Sequence, residues 1–264
     1  MHLVYHAGVD LPADRKALIF SAGGVRLALR LSHLREIVPA PPEGGDVLAR
    51  GESYPTAFVS TVLGLPGGAT PYALLTEGSP RVALRVEALH GIVDVASAEF
   101  FQLPVPTPLP QPPPFAGAVV TRGDVALELS VSSLGFAPLE PAEENPEPPP
   151  DLGPLAEREL QFARGGLTFA VPLSLLVQVL EGPRLARVPL TPPSHAGLVY
   201  HGRTLHPVVD LALVYRTAAP RPAHTVLLLD AGGAGVGVLA DRVLGVGEGG
   251  QDAIRPPWDT LFGA

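Results

Sequence analysis

The sequence predicts an all-β protein of two tandem domains, each built of small β-barrels with short helices. Three observations predict this. The chain carries 32 Pro and 29 Gly among 264 residues. Proline inside a helix removes a donor and clashes, so long helices are disfavoured and many short strands joined by turns are favoured. Apolar residues alternate around Gly-Gly pairs, as in β-hairpins. Finally, two halves of the chain repeat each other.

The first hairpin pattern of the second half runs Leu160 to Phe162, Gly165-Gly166, then Leu167, Phe169 and Val171. Ser174 follows as a candidate N-cap for a short helix over 175–180, since Leu175, Leu176, Val179 and Leu180 have helical spacing. Val208-Val209-Asp210-Leu211 reads as a short, mostly apolar strand. Val226 to Leu229, Gly232-Gly233 and Val236 to Leu239 read as another hairpin.

The repeat has two blocks. The run from Phe20 through Gly23-Gly24 to Ala28, Leu31-Ser32 and Leu34 aligns without a gap on Phe162 through Gly165-Gly166 to Ala170, Leu173-Ser174 and Leu176, at an offset of 142. Val82 to Gly91 aligns on Val236 to Gly245 at an offset of 154. A constant order with a loop-sized change of offset indicates an ancient duplication.

Between the copies, residues 138–154 hold seven prolines and five acidic residues. Such a segment buries too little apolar surface to order itself as a core, and reads as a semi-rigid linker. The expected organisation is a domain over 1–136, a linker over 137–158 and a domain over 159–264. The run PVPTPLPQPPP at 104–114, also with seven prolines, reads as an extended strap. The linker carries a net charge of −5 of the chain's −8, so the folded parts are nearly neutral.

Composition excludes several function classes. Hydrophobic residues make up 46%, enough for a core, and Lys16 is the only lysine. A net negative chain is a poor ligand for nucleic acid or an anionic membrane. Cysteine is absent, which excludes disulfides, thiol catalysis and cysteine zinc sites. The N-terminus has no signal-peptide pattern and no apolar run reaches membrane-span length, so a soluble cytoplasmic protein is expected.

Residues that invite a catalytic or cofactor reading do not sustain it. Gly232-Gly233-Ala234-Gly235-Val236-Gly237 follows a strand, but a dinucleotide fingerprint needs a helix next, and the chain returns to strand alternation. His195, His201, His206 and Asp210 lie close in sequence. In one extended strand, His201 and His206 would point to opposite faces, which disfavours a metal site. His2 and His6 lie at the chain's start, and no G-x-S-x-G elbow occurs. No metal, cofactor or catalytic residue is therefore expected.

The second half resembles the CheW-like domain, the adaptor module of bacterial chemotaxis. The residues that carry the likeness are Phe162 with Gly165-Gly166, Phe169-Ala170-Val171-Pro172, Val188-Pro189, Gly197-Leu198-Val199-Tyr200, Pro207-Val208-Val209-Asp210-Leu211, and Gly235-Val236-Gly237-Val238-Leu239-Ala240-Asp241-Arg242-Val243. The first half resembles a divergent copy. It keeps Phe20, Gly23-Gly24, Val38-Pro39 and the pair Arg50-Gly51, where the second half has His201-Gly202. It has Phe58-Val59-Ser60-Thr61 in place of Val-Val-Asp-Leu, and Glu87 in place of Asp241.

The resemblance implies two SH3-like barrels per domain and a non-enzymatic scaffold. The implied partners are the regulatory domain of a CheA-type histidine kinase and the cytoplasmic tip of chemoreceptors. By motif position the implied partner contacts are Arg50, Gly51, Val208, Asp210, Asp241 and Arg242. For each a structural role stands beside the functional one: core for Val208, turn for Gly51, local pairing for Asp241 and Arg242. The alternative function is a divergent tandem β-barrel interaction protein serving an assembly outside chemotaxis.

The copies differ at their ends. The first continues into a closing hairpin over 115–127, whereas the second has no such segment after Pro256-Pro257-Trp258. A barrel short of its last hairpin exposes a strand edge. Three covers are open: a strand from residues 2–8, a second chain giving a homodimer, or a strand added by a partner.

Overall fold

The computed structural model describes residues 15–41, 45–94, 98–103, 114–134, 137–143, 148, 150–151, 158–216, 222–231, 234–248 and 252–258. Residues 2–8, the run 104–113 and the Gly232-Gly233 turn, all assigned from sequence above, lie outside them. The chain forms two compact units that divide after Leu139.

The first unit contains twelve strands among its described residues: β1 (Lys16–Ala22), β2 (Val25–Arg30), β3 (Leu34–Pro39), β4 (Val47–Ala49), β5 (Glu52–Tyr54), β6 (Thr56–Phe58), β7 (Tyr72–Thr76), β8 (Ala83–Val86), β9 (Ala88–Asp94), β10 (Glu99–Phe101), β11 (Phe115–Thr121) and β12 (Asp124–Leu129). A four-residue helix, α1 (Val59–Val62), follows β6. One sheet has the order β10-β11-β12-β2-β1-β9, a second β3-β7-β8-β6, and β4 pairs with β5 alone.

The second unit contains β13 (Arg158–Arg164), β14 (Leu167–Pro172), β15 (Leu176–Glu181), β16 (Leu185–Ala186), β17 (His195–His201), β18 (Thr204–Val209), α2 (Leu211–Val214), β19 (Thr225–Ala231), β20 (Ala234–Ala240) and β21 (Arg242–Glu248). Its sheets have the orders β14-β13-β21 and β15-β19-β20-β18-β17-β16. The protein is all-β, as its sequence predicts.

The repeat is visible in register. Phe20 faces Leu27 across β1 and β2, as Phe162 faces Phe169 across β13 and β14. The same bulge interrupts β1 against β9 at Gly91 and β13 against β21 at Gly245. Thr56 pairs in parallel with Ala83, as Val208 pairs with Gly237. The β13–β14 turn is made by Gly165 and Gly166, both at positive φ (62° and 82°). Glycine reaches that region without steric cost, and the turn's hand matches strand twist.

Among its described residues the second unit has two cores. Leu227, Leu229, Val236 and Val238 on one face of the six-stranded sheet pack with Leu160, Phe162, Phe169 and Trp258. Val199, Val208, Val226, Leu228 and Leu239 form the other core. Gly237 sits between these layers. A Cβ there would meet Val226 Cγ1 at 2.8 Å and Val208 Cγ2 at 2.9 Å, so any larger residue forces those side chains to shift.

Two expectations are corrected. Residues 176–181 are strand β15, and the expected helix over 175–180 is absent. The register of β15 against β19 shifts between Leu176 and Gln178. This bulge places two residues against one and breaks the period of two, so Leu176, Val179 and Leu180 imitate helical spacing. The strand around Val208 ends at Val209, and Asp210 begins α2 as its N-cap. The glycine run leads into strand β20, in accord with the rejection of a nucleotide loop.

Parts of the Pro/Glu-rich stretch are bonded to the units they adjoin. Leu139 donates its N–H to the Val62 carbonyl, and Ala142 to the Leu190 carbonyl.

Candidate interaction site

In the second unit three chain junctions converge on one cation. Arg164 ends β13, Asp210 lies between β18 and α2, and Asp241 lies between β20 and β21. Arg164 donates from Nε and NH2 to both oxygens of Asp210, and from NH1 to Asp241 Oδ1 at 2.6 Å. Asp210 Oδ1 also accepts the Ala212 N–H at 3.0 Å and so caps α2. Asp241 Oδ2 accepts the Gly165 N–H at 2.9 Å. The side chains of Arg164 and Asp210 are only 4% and 5% exposed, whereas that of Asp241 is 30% exposed.

The chemistry suits a fixed scaffold. The carboxylates raise the Arg164 pKa above its ordinary value, chiefly through the Asp210 hydrogen bonds, against the opposing effect of burial. A buried ion pair with complete hydrogen bonding costs little, but removing one partner strands a charge at about 3–5 kcal/mol. Asp241 is the member of the network that reaches solvent, and Arg242 beside it is exposed.

The first unit has dismantled this network as a set. Ala22, Phe58 and Glu87 stand where Arg164, Asp210 and Asp241 stand. The register therefore makes Phe58 the equivalent of Asp210, two residues from the sequence alignment. A different buried cation serves this copy. Arg85 lies over the Phe58 ring at 5.1 Å and donates to Thr70 Oγ1 and the carbonyls of Thr70 and Pro41. Losing Arg and Asp together leaves no uncompensated buried charge.

The six expected contact residues are not brought together in one unit. Arg50 and Gly51 form the β4–β5 turn, at φ 50° and 80°. Arg50 is 73% exposed and ion-paired to Glu36 at 3.1 Å. The matching turn in the second unit is Gly202-Arg203, also with two positive φ values, between the paired residues His201 and Thr204. The arginine is thus moved one place along the turn, and His201 does not replace it. Val208 is fully buried and presents no surface. Asp210 and Asp241 are both held by Arg164, and Arg242 follows Asp241 in sequence.

The histidines are separately engaged. His201 Nε2 lies 2.9 Å from Gln178 Oε1, and His206 Nδ1 lies 3.2 Å from the Gly235 carbonyl oxygen. The two belong to paired strands, with His201 opposite Thr204 and Val199 opposite His206, so they share one face. The expectation of opposite faces assumed one continuous strand, and the β17–β18 hairpin overturns it. Among the described residues no group of three or more His, Asp or Glu side chains can hold a metal ion. No helix among them is long and apolar enough to cross a membrane.

Sequence reading missed Arg164. Its signal was present: the copy with Asp210 and Asp241 also has an arginine at the end of its first strand, and the other copy has none of the three.

Residues 159–263 match the CheW-like domain family. No curated protein matches the chain. Among solved structures, the scaffolding protein CheW of Thermoanaerobacter tengcongensis is similar at 16% identity and a TM-score of 0.33. That similarity covers 36% of this chain and 66% of the other, just under two thirds of its length. The second unit thus contains, over residues 159–263, a CheW-like domain.

Proposed function

We propose that this protein is a non-enzymatic cytoplasmic scaffold of a chemosensory pathway, coupling chemoreceptor tips to a CheA-type histidine kinase. The observation that carries the reading is the CheW-like domain at residues 159–263. The sequence of residues 16–129 supports a second, divergent module, tethered through residues 137–158. The exposed contacts in this reading are Arg242 and Asp241 at the β20–β21 junction and Arg50 at the β4–β5 turn. Asp210 acts by holding Arg164, and Val208 acts from the core.

The test is association of the full chain with a CheA regulatory domain and with a receptor cytoplasmic hairpin, measured by co-purification and light scattering. Binding to either supports the reading, and Arg242→Glu should weaken it while leaving the melting curve unchanged. Binding to neither overturns it.

A further inference from the structure

The two units close the same strand edge with different segments, and the charges of the ion pair there are reversed. In the first unit β12 runs parallel to β2, with Leu127 opposite Leu27 and Glu128 opposite Ala28. In the second, Ile254 forms a parallel bridge to Phe169, the residue equivalent to Leu27. The Ile254 N–H donates to the Thr168 carbonyl, and its carbonyl accepts from the Ala170 N–H. Residues 252–258 thus occupy the place of β12, and Trp258 is buried in the core beneath them. This is one cover for the β14 edge that sequence reading did not name.

The next residue in each segment carries the charge. Glu128 accepts from Arg30 Nε and NH2 at 2.7 and 3.0 Å. At the equivalent place Arg255 donates from Nε and NH2 to Glu159 at 2.9 Å each. Arg30 and Glu159 occupy opposite members of one cross-strand pair, Ala17 with Arg30 and Glu159 with Pro172. Both pairs are bidentate. Arg255 and Glu159 are 1% and 0% exposed.

We propose that this reversal is a device that matches each closing segment to its own unit and excludes exchange between the tandem copies. Related domains on one chain risk docking an element on the wrong copy, because the backbone edge and the apolar residue beside it are alike. The charge distinguishes them. On β14, Glu128 would face Glu159 with no arginine, since Pro172 stands in place of Arg30. On β2, Arg255 would face Arg30 with Ala17 in place of Glu159. Either exchange sets like charges against each other in place of an ion pair, and specificity comes from that repulsion. The inference holds whatever the protein binds.

The experiment refolds the full chain from denaturant over a range of concentrations and measures native monomer by size-exclusion chromatography and circular dichroism. Glu159→Arg with Arg255→Glu gives both units one polarity, and native monomer should fall several-fold. Adding Arg30→Glu with Glu128→Arg makes the polarities opposite again, and the quadruple variant should recover most of that yield. A purely local cost of reversal predicts the contrary, since two such costs add. Parental yield from the double variant, or no recovery in the quadruple, overturns the proposal.

Discussion

Arg164 and Asp210 form a bidentate ion pair across 46 residues of sequence, almost sealed from solvent, and the same aspartate caps α2. One side chain therefore ties the end of a hairpin in one sheet to the strand–helix junction of the other. Arg164→Leu should destabilise the second unit by about 3–5 kcal/mol, because Asp210 is left buried and charged. Trp258, the only tryptophan and buried in that unit, reports its unfolding by fluorescence. Replacing the trio with the first unit's set (Arg164→Ala, Asp210→Phe, Asp241→Glu) should cost less than Arg164→Leu alone. A larger cost would show that the network's value lies outside charge compensation.

His195 begins β17, is 8% exposed, and has neither ring nitrogen hydrogen-bonded. Burial lowers its pKa from the ordinary 6.5 to about 4. The neutral ring is the form that folds, while the unfolded chain takes up a proton below pH 6.5. Stability is full above that pH and declines as pH falls toward about 4, by up to about 3 kcal/mol. His195→Leu should flatten the decline between pH 6.5 and 5. Carboxylates titrating there act on both proteins alike, so parallel stability curves would refute the assignment.

Gly237 is a point of close approach between the β20 backbone and apolar side chains. Gly237→Ala drives a methyl into Val226 and Val208 and should cost about 1–3 kcal/mol. Gly247→Ala, with no atom within 4 Å of its Cβ position, is the control, in β21 of the other sheet. Urea melts followed at Trp258 measure both, and equal midpoints would show that the sheet relaxes around the methyl.

Much of the fold was legible because strand signals are local. Alternation around Gly165-Gly166 places β13 and β14, and a constant offset of 142 exposes the second copy of that hairpin. The β15 bulge was not legible. Helical and bulged-strand spacing coincide over six residues, and only the β19 partner decides between them. The same limit applied to His201 and His206, whose shared face depends on a turn.

The candidate site divides along this line. Its acidic members were visible as motif residues, Asp210 and Asp241, on either side of the β19–β20 hairpin. Their function as ligands of Arg164 was not, nor was the pairing of Arg255 with Glu159 across 96 residues.

By itself, then, the sequence determined the all-β class, the internal repeat and the hairpins around Gly23-Gly24 and Gly165-Gly166, since each rests on short-range periodicity and turn chemistry. Tertiary structure alone decided which charges are buried together and what closes the β14 edge. Partner choice for a buried charge depends on which distant residue the fold brings within hydrogen-bond reach, and no local pattern encodes that distance.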